Sequence, residues 1–248
     1  MIISIEGMDG SGKTTVGKKM ATKIGYQFLD RPLEKFWNLE PKTYEDMGNK
    51  LWSFKNEIYA ALFYGMGCLL TRNENNNIIL DRHIVSTYFW NGCETTNSLF
   101  DILVEYGVQE DLSIILYADL ETRMNRIKKR SLLTRGKDRD LDNKEVHLYG
   151  YDKMIEFVER YGTPYVIINT NNLCLEEVIE KCINIFSNIK ELRPEDILKY
   201  CNNYNRIHNE DLLNEIRDKI LYNNQGYTKK LYPNIFKKIE RGNENVRS

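Results

Sequence analysis

GMDGSGKTT, residues 7 to 15, is the stretch on which the reading of this chain turns. It follows an apolar run, Ile2 to Glu6, that reads as a buried strand. It precedes a segment in which Val16, Met20 and Ile24 recur at spacings of four, the inner face of a helix. The residues fit G-x-x-x-x-G-K-[ST], a phosphate-holding loop, in the strand-loop-helix context that the motif requires. Gly7, Gly10 and Gly12 admit backbone angles closed to other residues, so successive N–H groups can turn inward on phosphate oxygens, and the helix N-terminus adds its positive end. Lys13 brings a full charge, and Thr14 a hydroxyl for a magnesium ion that bridges the outer phosphates. Asp9, Ser11 and Thr15 complete the cradle. ATP or GTP with Mg2+ is the expected ligand.

The alternation of strand and helix continues along the chain. Tyr26 to Asp30, Ile78 to Asp81, Leu112 to Tyr117 and Tyr165 to Asn169 are further candidate strands, separated by helix-length segments. That pattern predicts an α/β, three-layer fold with a five-stranded parallel sheet covered on both faces. Near Leu192 it changes. Ile197, Cys201 and Tyr204 mark one helical stripe, and Leu213, Ile216 and Ile220 another. The expected organisation is a nucleotide-binding domain over residues 1–190 and a helical extension over 191–248.

Composition narrows the function classes. With 248 residues and 42% hydrophobic content the chain can bury a proper core. Its formal net charge of −1 argues against a nucleic-acid coat or a polybasic membrane anchor. The sequence carries no basic-then-apolar leader and no apolar run of bilayer length, so a soluble, cytoplasmic protein is expected. Five cysteines, with no C-x-x-C pair, suggest neither a disulfide framework nor a zinc site.

A phosphate loop alone fits switches, motors and kinases. In NNNIILDRHIVSTYFWNG the third strand delivers Asp81 and Arg82 to the carboxyl edge of the sheet, where ligands bind in open parallel sheets. Asp81 suits magnesium or a proton, and Arg82 a phosphoryl oxygen. In DLSIILYADLETRMNRIKKRSLLTRGKDRDLDNKEV, Leu120, Met124 and Ile127 form an apolar stripe, with Arg123, Arg126 and Arg130 expected on another face. Arg130, Arg135 and Arg139 then run into a segment that reads as an exposed loop. Beside a phosphate loop it is expected to be a lid near residues 130–142, closing over the transferring phosphoryl group and stabilising its charge.

Together the phosphate loop, DRHIVSTYFWNG and EDLSIILYADLETRMNRIKKR resemble the thymidylate kinase family over roughly residues 1–190. The family pattern of D-R-aromatic, then Ser and Gly, reads here Asp81, Arg82, His83, Ser86 and Gly92. The resemblance implies a nucleoside monophosphate kinase that uses ATP and Mg2+, with dimerisation. Gly10, Ser11, Gly12 and Lys13 would hold the donor phosphates, and Thr14 and Asp81 would serve magnesium. Arg31 and Arg82 would hold the acceptor phosphate, with Asp9 near its sugar and Ser86 beside it. The loop has no cation besides Lys13, so Arg130, Arg135 and Arg139 of the lid would supply the missing charge. Two positions depart from the pattern. Thymidylate kinases carry a helix close to L-F-A-A-D-R, whose Phe stacks on thymine and whose Arg bonds it. Here Phe63 keeps the ring, but Gly67 stands at the arginine, so base choice is expected to be looser than or different from thymidylate specificity unless Asn91 or Tyr88 has taken over the reading. His83 replaces the usual aromatic residue and is expected to be packed or solvent-facing.

The stretch LDRPLEKFWNLEP is similar to the E-P-x-x-x-W segment of deoxynucleoside kinases, whose glutamate takes the proton from a sugar hydroxyl. Arg31 occupies that place, which favours an ionised phosphate as acceptor, and Glu34 is the alternative base for a nucleoside. A third reading is an ATP-binding regulatory module without turnover. No N-K-x-D motif is present to support a GTP switch.

Overall fold

The computed structural model describes residues 1–30, 32–54, 56–71, 77–107, 110–131 and 144–223. Five parallel strands, β1 (Ile2–Glu6), β2 (Gln27–Asp30), β3 (Ile78–Asp81), β4 (Leu112–Tyr117) and β5 (Tyr165–Asn169), form one sheet in the order β2-β3-β1-β4-β5. The predicted strands are all present, with β2 starting one residue later than its apolar run. The three central strands are buried along their whole length, as continuous apolar runs require when helices cover both faces.

Side-chain alternation along the strands builds two cores. Ile3, Ile5, Ile114, Leu116, Val166 and Ile168 face α1 (Lys13–Ile24) and, later in the chain, α9 (Leu175–Ile189). Ile115, Tyr117 and Ile167 face the opposite side. There they meet α4 (Glu57–Leu70), α5 (Ile84–Asn91), α6 (Asn97–Tyr106) and α8 (Lys144–Tyr161). Two further helices, α2 (Pro32–Phe36) and α3 (Pro41–Ser53), precede α4, and α7 (Leu120–Ser131) follows β4. Among the described residues no helix is long and apolar enough to cross a membrane.

Among the described residues, the segment expected as an extension forms one helix, α10 (Pro194–Asn223), which packs on β5 and α8. Its two apolar stripes serve different cores. Ile197 and Cys201 join the α9 side, and Leu213 and Ile216 join the α8 side, so α10 straddles the open edge of the sheet. Two asparagines sit at the crossing. Asn205 accepts from Ile167 N at 3.0 Å and donates to Tyr165 O at 2.9 Å, while Asn209 donates to Ile167 O at 2.9 Å. Side-chain amides thus satisfy backbone groups that an edge strand would otherwise leave unpaired. Residues 224–248, and the side chain of Ile220, lie outside the described residues.

Replacing Asn205 by Ala orphans two buried backbone groups, each worth about 1–3 kcal/mol when unsatisfied. The expected loss is about 2–4 kcal/mol in urea unfolding. A loss below about 0.5 kcal/mol would mean that α10 only rests against the edge.

Candidate active site

The phosphate loop leaves β1 at a buried charge, Glu6, and enters α1 at Lys13. Gly7 has φ +134°, and a Cβ there would stand 2.5 Å from Leu116 O. Gly10 has φ +84°, and its Cβ would stand 2.8 Å from Arg123 O, so the loop can lie this close to β4 and α7 only without side chains. Gly12 caps α1 at φ 100°. Lys13 Nζ donates to Met8 O at 2.9 Å and lies 3.8 Å from Asp9, buried within the loop. Burial, with Arg82 nearby, pulls its pKa down to about 7. Thr15 is exposed on the first turn of α1.

Thr14 lies one residue into α1 and donates its hydroxyl to Asp81 Oδ2 at the end of β3. The other oxygen, Asp81 Oδ1, is buried without a hydrogen-bond partner. A hydroxyl and a half-satisfied carboxylate in contact form an all-oxygen pair that fits Mg2+. Asp30 ends β2 directly across from Asp81 in the strand register.

Arg82 follows Asp81 with φ +69°, a left-handed conformation costly for a non-glycine residue and typical of functional positions. Two contacts hold it there. Its backbone N–H donates to Ile5 O at 3.2 Å, and its guanidinium pairs with Asp9 Oδ1 of the phosphate loop. Next to it, His83 N donates to Glu6 Oε1 at 2.8 Å, and the Ser86 hydroxyl donates to Glu6 Oε2. Burial, with a contribution from Glu110, pushes the Glu6 carboxyl up to about 7 even though both donors pull it down. His83 is packed: Nδ1 meets Glu110 Oε1 at 2.7 Å and Nε2 meets Thr71 Oγ1 at 3.1 Å. Burial pulls its pKa down, but Cys68 and Glu110 outweigh this and hold it well above the usual histidine value.

A cavity of about 520 Å³ opens beside the loop. Thr14, Asp30, Asp81 and Arg82 line it at the carboxyl edge of the sheet. Tyr44, Tyr64, Gly67 and Cys68 line it from α3 and α4, and Ser86, Thr87, Trp90 and Asn91 from α5. The volume is that of a small-molecule site. Phe63 is not among these lining residues. It is 7% exposed and packs against the rings of Tyr44 and Tyr64, 5.5 and 5.1 Å away. The next residue on α4 is turned by about 100°, the angular step of 3.6 residues per turn, so Tyr64 with Gly67 and Cys68 takes the cavity face instead.

Arg123 differs most from its sequence reading. It is fully buried, and burial lowers its pKa. Its Nε donates to Asp9 O at 2.7 Å, and its Nη1 lies 2.7 Å from His147 Nδ1 on α8. Because guanidinium has no acceptor, Nδ1 must carry the lone pair. Arg126 donates to Ser11 O at 3.4 Å, and to Thr170 Oγ1 and O at 3.0 Å. Both arginines therefore brace the phosphate loop from behind through its carbonyls. In a trans peptide the carbonyl and the following N–H point oppositely, so these bonds turn the N–H groups of Gly10 and Gly12 away from α7. The signal for Arg123 lay in the spacing, since Leu120, Arg123 and Ile127 share a helix face. Glu6 was missed too, although it is the one charge in an otherwise uncharged buried strand.

Arg31 lies outside the described residues, as do Arg135 and Arg139 and the expected lid from 132 onward. Arg130 is in the last turn of α7, with its side chain also outside them.

Removing the Lys13 ammonium deletes a preorganised charge at the phosphate loop, a loss typically about a hundredfold or more in turnover. Lys13→Ala should therefore stay folded by circular dichroism and show at least that drop in ATP-dependent turnover. Normal turnover would show that the loop does not handle the transferred phosphate.

The family model for deoxynucleoside kinase matches residues 3–192. The chain is 25% identical over 201 residues to a probable thymidylate kinase of Methanocaldococcus jannaschii, covering 76% of this chain and 97% of that protein. Thymidylate kinase from Candida albicans has a similar fold, with a TM-score of 0.57 at 20% identity, covering 76% of this chain and 92% of that one. A deoxyadenosine kinase structure from M. mycoides gives a TM-score of 0.54 at 21% identity, covering 76% of this chain and 100% of that one. Both likenesses read from the sequence are thus found, and the match over most of its length makes this chain a member of the deoxynucleoside kinase family.

Proposed function

We propose that this kinase transfers the γ-phosphoryl group of ATP to the phosphate of a deoxynucleoside monophosphate seated in the 520 Å³ cavity, giving ADP and a nucleoside diphosphate. The observation that carries this reading is Arg82, which Asp9 and Ile5 O hold in a strained conformation on the cavity wall beside Thr14 and Asp81. Two anions must approach each other in such a transfer, and a fixed guanidinium between them offsets their repulsion.

Within this reading the backbone of Gly10, Ser11 and Gly12 and the Lys13 ammonium bind the donor phosphates. Lys13 regains full charge beside them. Arg82 and Arg31 orient the acceptor phosphate so that one of its oxygens attacks the γ-phosphorus while the bond to the β-bridging oxygen breaks and ADP leaves. Ser86, fixed by Glu6, shapes the wall next to Arg82. Thr14 and Asp81 would hold Mg2+, which would supply positive charge to offset the negative charge that develops on the phosphates. Arg130, Arg135 and Arg139, which the sequence suggests as the source of the remaining positive charge, would act on the transferring phosphoryl group. The resemblance-based dimer is supported by an apolar stripe of Ile58, Leu62 and Met66 on α4, beside Ile102 and Tyr106 of α6, all exposed.

One observation favours a second reading. Asp30 lines the cavity opposite Asp81, and a carboxylate there suits a general base for the 5′-hydroxyl of a free deoxynucleoside. Acceptor choice separates the two. ADP release with ATP should be far faster with deoxynucleoside monophosphates than with deoxynucleosides, and Arg31→Glu should weaken monophosphate use by replacing attraction with repulsion. Efficient phosphorylation of free nucleosides, with monophosphates inert and Asp30→Asn inactive, would establish the second reading. No acceptor-dependent ADP at all would leave a binding module.

A further inference from the structure

We infer that His83, clamped between Glu110 and Thr71, is a positioning residue for phosphoryl transfer: it fixes the peptide that follows Arg82 and so sets where the Arg82 guanidinium meets the phosphates. The inference rests on the phosphoryl-transfer reading of the cavity.

The left-handed conformation of Arg82 persists only if the peptides on both sides of it are held. The preceding one is tied by the Arg82 N–H to Ile5 O at 3.2 Å. The following one carries His83 N, which donates to Glu6 Oε1 at 2.8 Å. A single hydrogen bond is a point attachment, about which that peptide can still pivot. His83 O accepts from Thr87 N and Thr87 Oγ1, both at 3.1 Å, but these bonds join His83 to α5, which moves with it. The ring of His83 supplies the second attachment to the rest of the fold.

Both ring nitrogens are engaged by groups from distant parts of the chain. Nδ1 lies 2.7 Å from Glu110 Oε1, and Nε2 lies 3.1 Å from Thr71 Oγ1. The Thr71 hydroxyl gives its one proton to Cys68 O at 2.6 Å, so toward Nε2 it is an acceptor. Two bonds on opposite sides of the ring fix its position and its plane. Both anchors are themselves held. Asp111, next to Glu110, donates from its N–H to Ile2 O at 2.9 Å and accepts from Ile2 N at 2.7 Å, which makes this end of the clamp part of the β1–β4 pairing. Thr71 caps α4, the helix that brings Tyr64, Gly67 and Cys68 to the cavity. His83 thus joins Arg82 at the phosphate end to the sheet and to the acceptor wall.

Stability alone does not account for this pair. The side chains of His83 and Glu110 are each 1% exposed, Glu110 Oε2 has no partner, and the Glu6 carboxyl is near enough for Glu110 to raise its pKa. Apolar residues of similar size in place of such a buried pair are often as stable or more so. With both nitrogens engaged the ring has no polar atom left for a substrate, and its effect passes through Arg82.

Replacing both partners at once separates positioning from stability. His83→Leu/Glu110→Leu leaves no unpaired charge and should unfold at a urea concentration no lower than the wild type. Its kcat per folded chain, with ATP and the deoxynucleoside monophosphate used best, should nonetheless fall about tenfold to a hundredfold, the loss that a misplacement of roughly 1 Å can cause. Affinity for a non-hydrolysable ATP analogue without acceptor, measured by isothermal titration, should stay within about twofold, because the phosphate loop is untouched. Should the double variant not fold, Thr71→Val removes only the hydroxyl to which Nε2 donates, and should lower kcat at least about threefold with analogue affinity retained. Wild-type kcat in the folded double variant, or in Thr71→Val where that variant is needed, overturns the inference. So does a loss of analogue affinity equal to the loss of turnover. Efficient use of free deoxynucleosides with monophosphates inert overturns only the choice of acceptor, and the same kcat comparison with deoxynucleosides then decides the role of His83. Absence of turnover with every acceptor overturns both.

Discussion

Glu6 ties the donor side of this molecule to the acceptor side. Its backbone ends β1 immediately before the phosphate loop, and its carboxylate accepts His83 N and the Ser86 hydroxyl at the start of α5. Burying a carboxylate is costly, as its raised pKa records, and two donors repay part of that cost by making the contact specific. Because the loop and α5 hang from one side chain, the distance between bound donor phosphate and acceptor cavity is set by covalent geometry plus two hydrogen bonds. The proposed transfer between two phosphates would need this rigidity.

Around that tie, the strained and buried polar groups are organised to the same end. Arg82 is kept left-handed by Ile5 O and Asp9, so the residue just past β3 is fixed from β1 and from the loop. Arg123 and Arg126 hold two loop carbonyls outward, which leaves the N–H groups of the residues that follow, Gly10 and Gly12, facing the opposite way. Arg123 also reaches His147, joining α7 and α8, the two helices that flank residues 132–143. At the far edge of the sheet Asn205 and Asn209 close β5 with side-chain amides, which lets α10 finish both cores at once.

The sheet and the phosphate loop were legible in the sequence because both depend on local rules. Apolar runs of strand length between helix-period segments specify buried parallel strands, and the glycine spacing specifies the loop. What the sequence hid depends on contacts between segments far apart in the chain. Glu6 looks like the last residue of a strand until α5 is seen to donate to it. Arg123 reads as one of a basic series, but its position on the Leu120–Ile127 face puts it against Asp9 and His147. Phe63 matches a stacking ring by alignment, yet the packing of α3 against α4 buries it and brings Tyr44 and Tyr64 to the cavity. Asparagines 205 and 209 look like polar interruptions of a helix, and only the open edge of β5 gives them a purpose.

If the loop and the cavity form one site, a compound joining adenosine to a deoxynucleoside through a chain of phosphates should occupy both at once. Tethering turns the second binding step into an intramolecular one, at effective concentrations typically near millimolar or above. Isothermal titration should therefore find one such compound per chain, bound at least about a hundredfold tighter than ATP or the acceptor alone, with Lys13→Ala and Arg82→Ala each removing most of the gain. Affinity no better than that of ATP, or two compounds bound independently, would contradict the account.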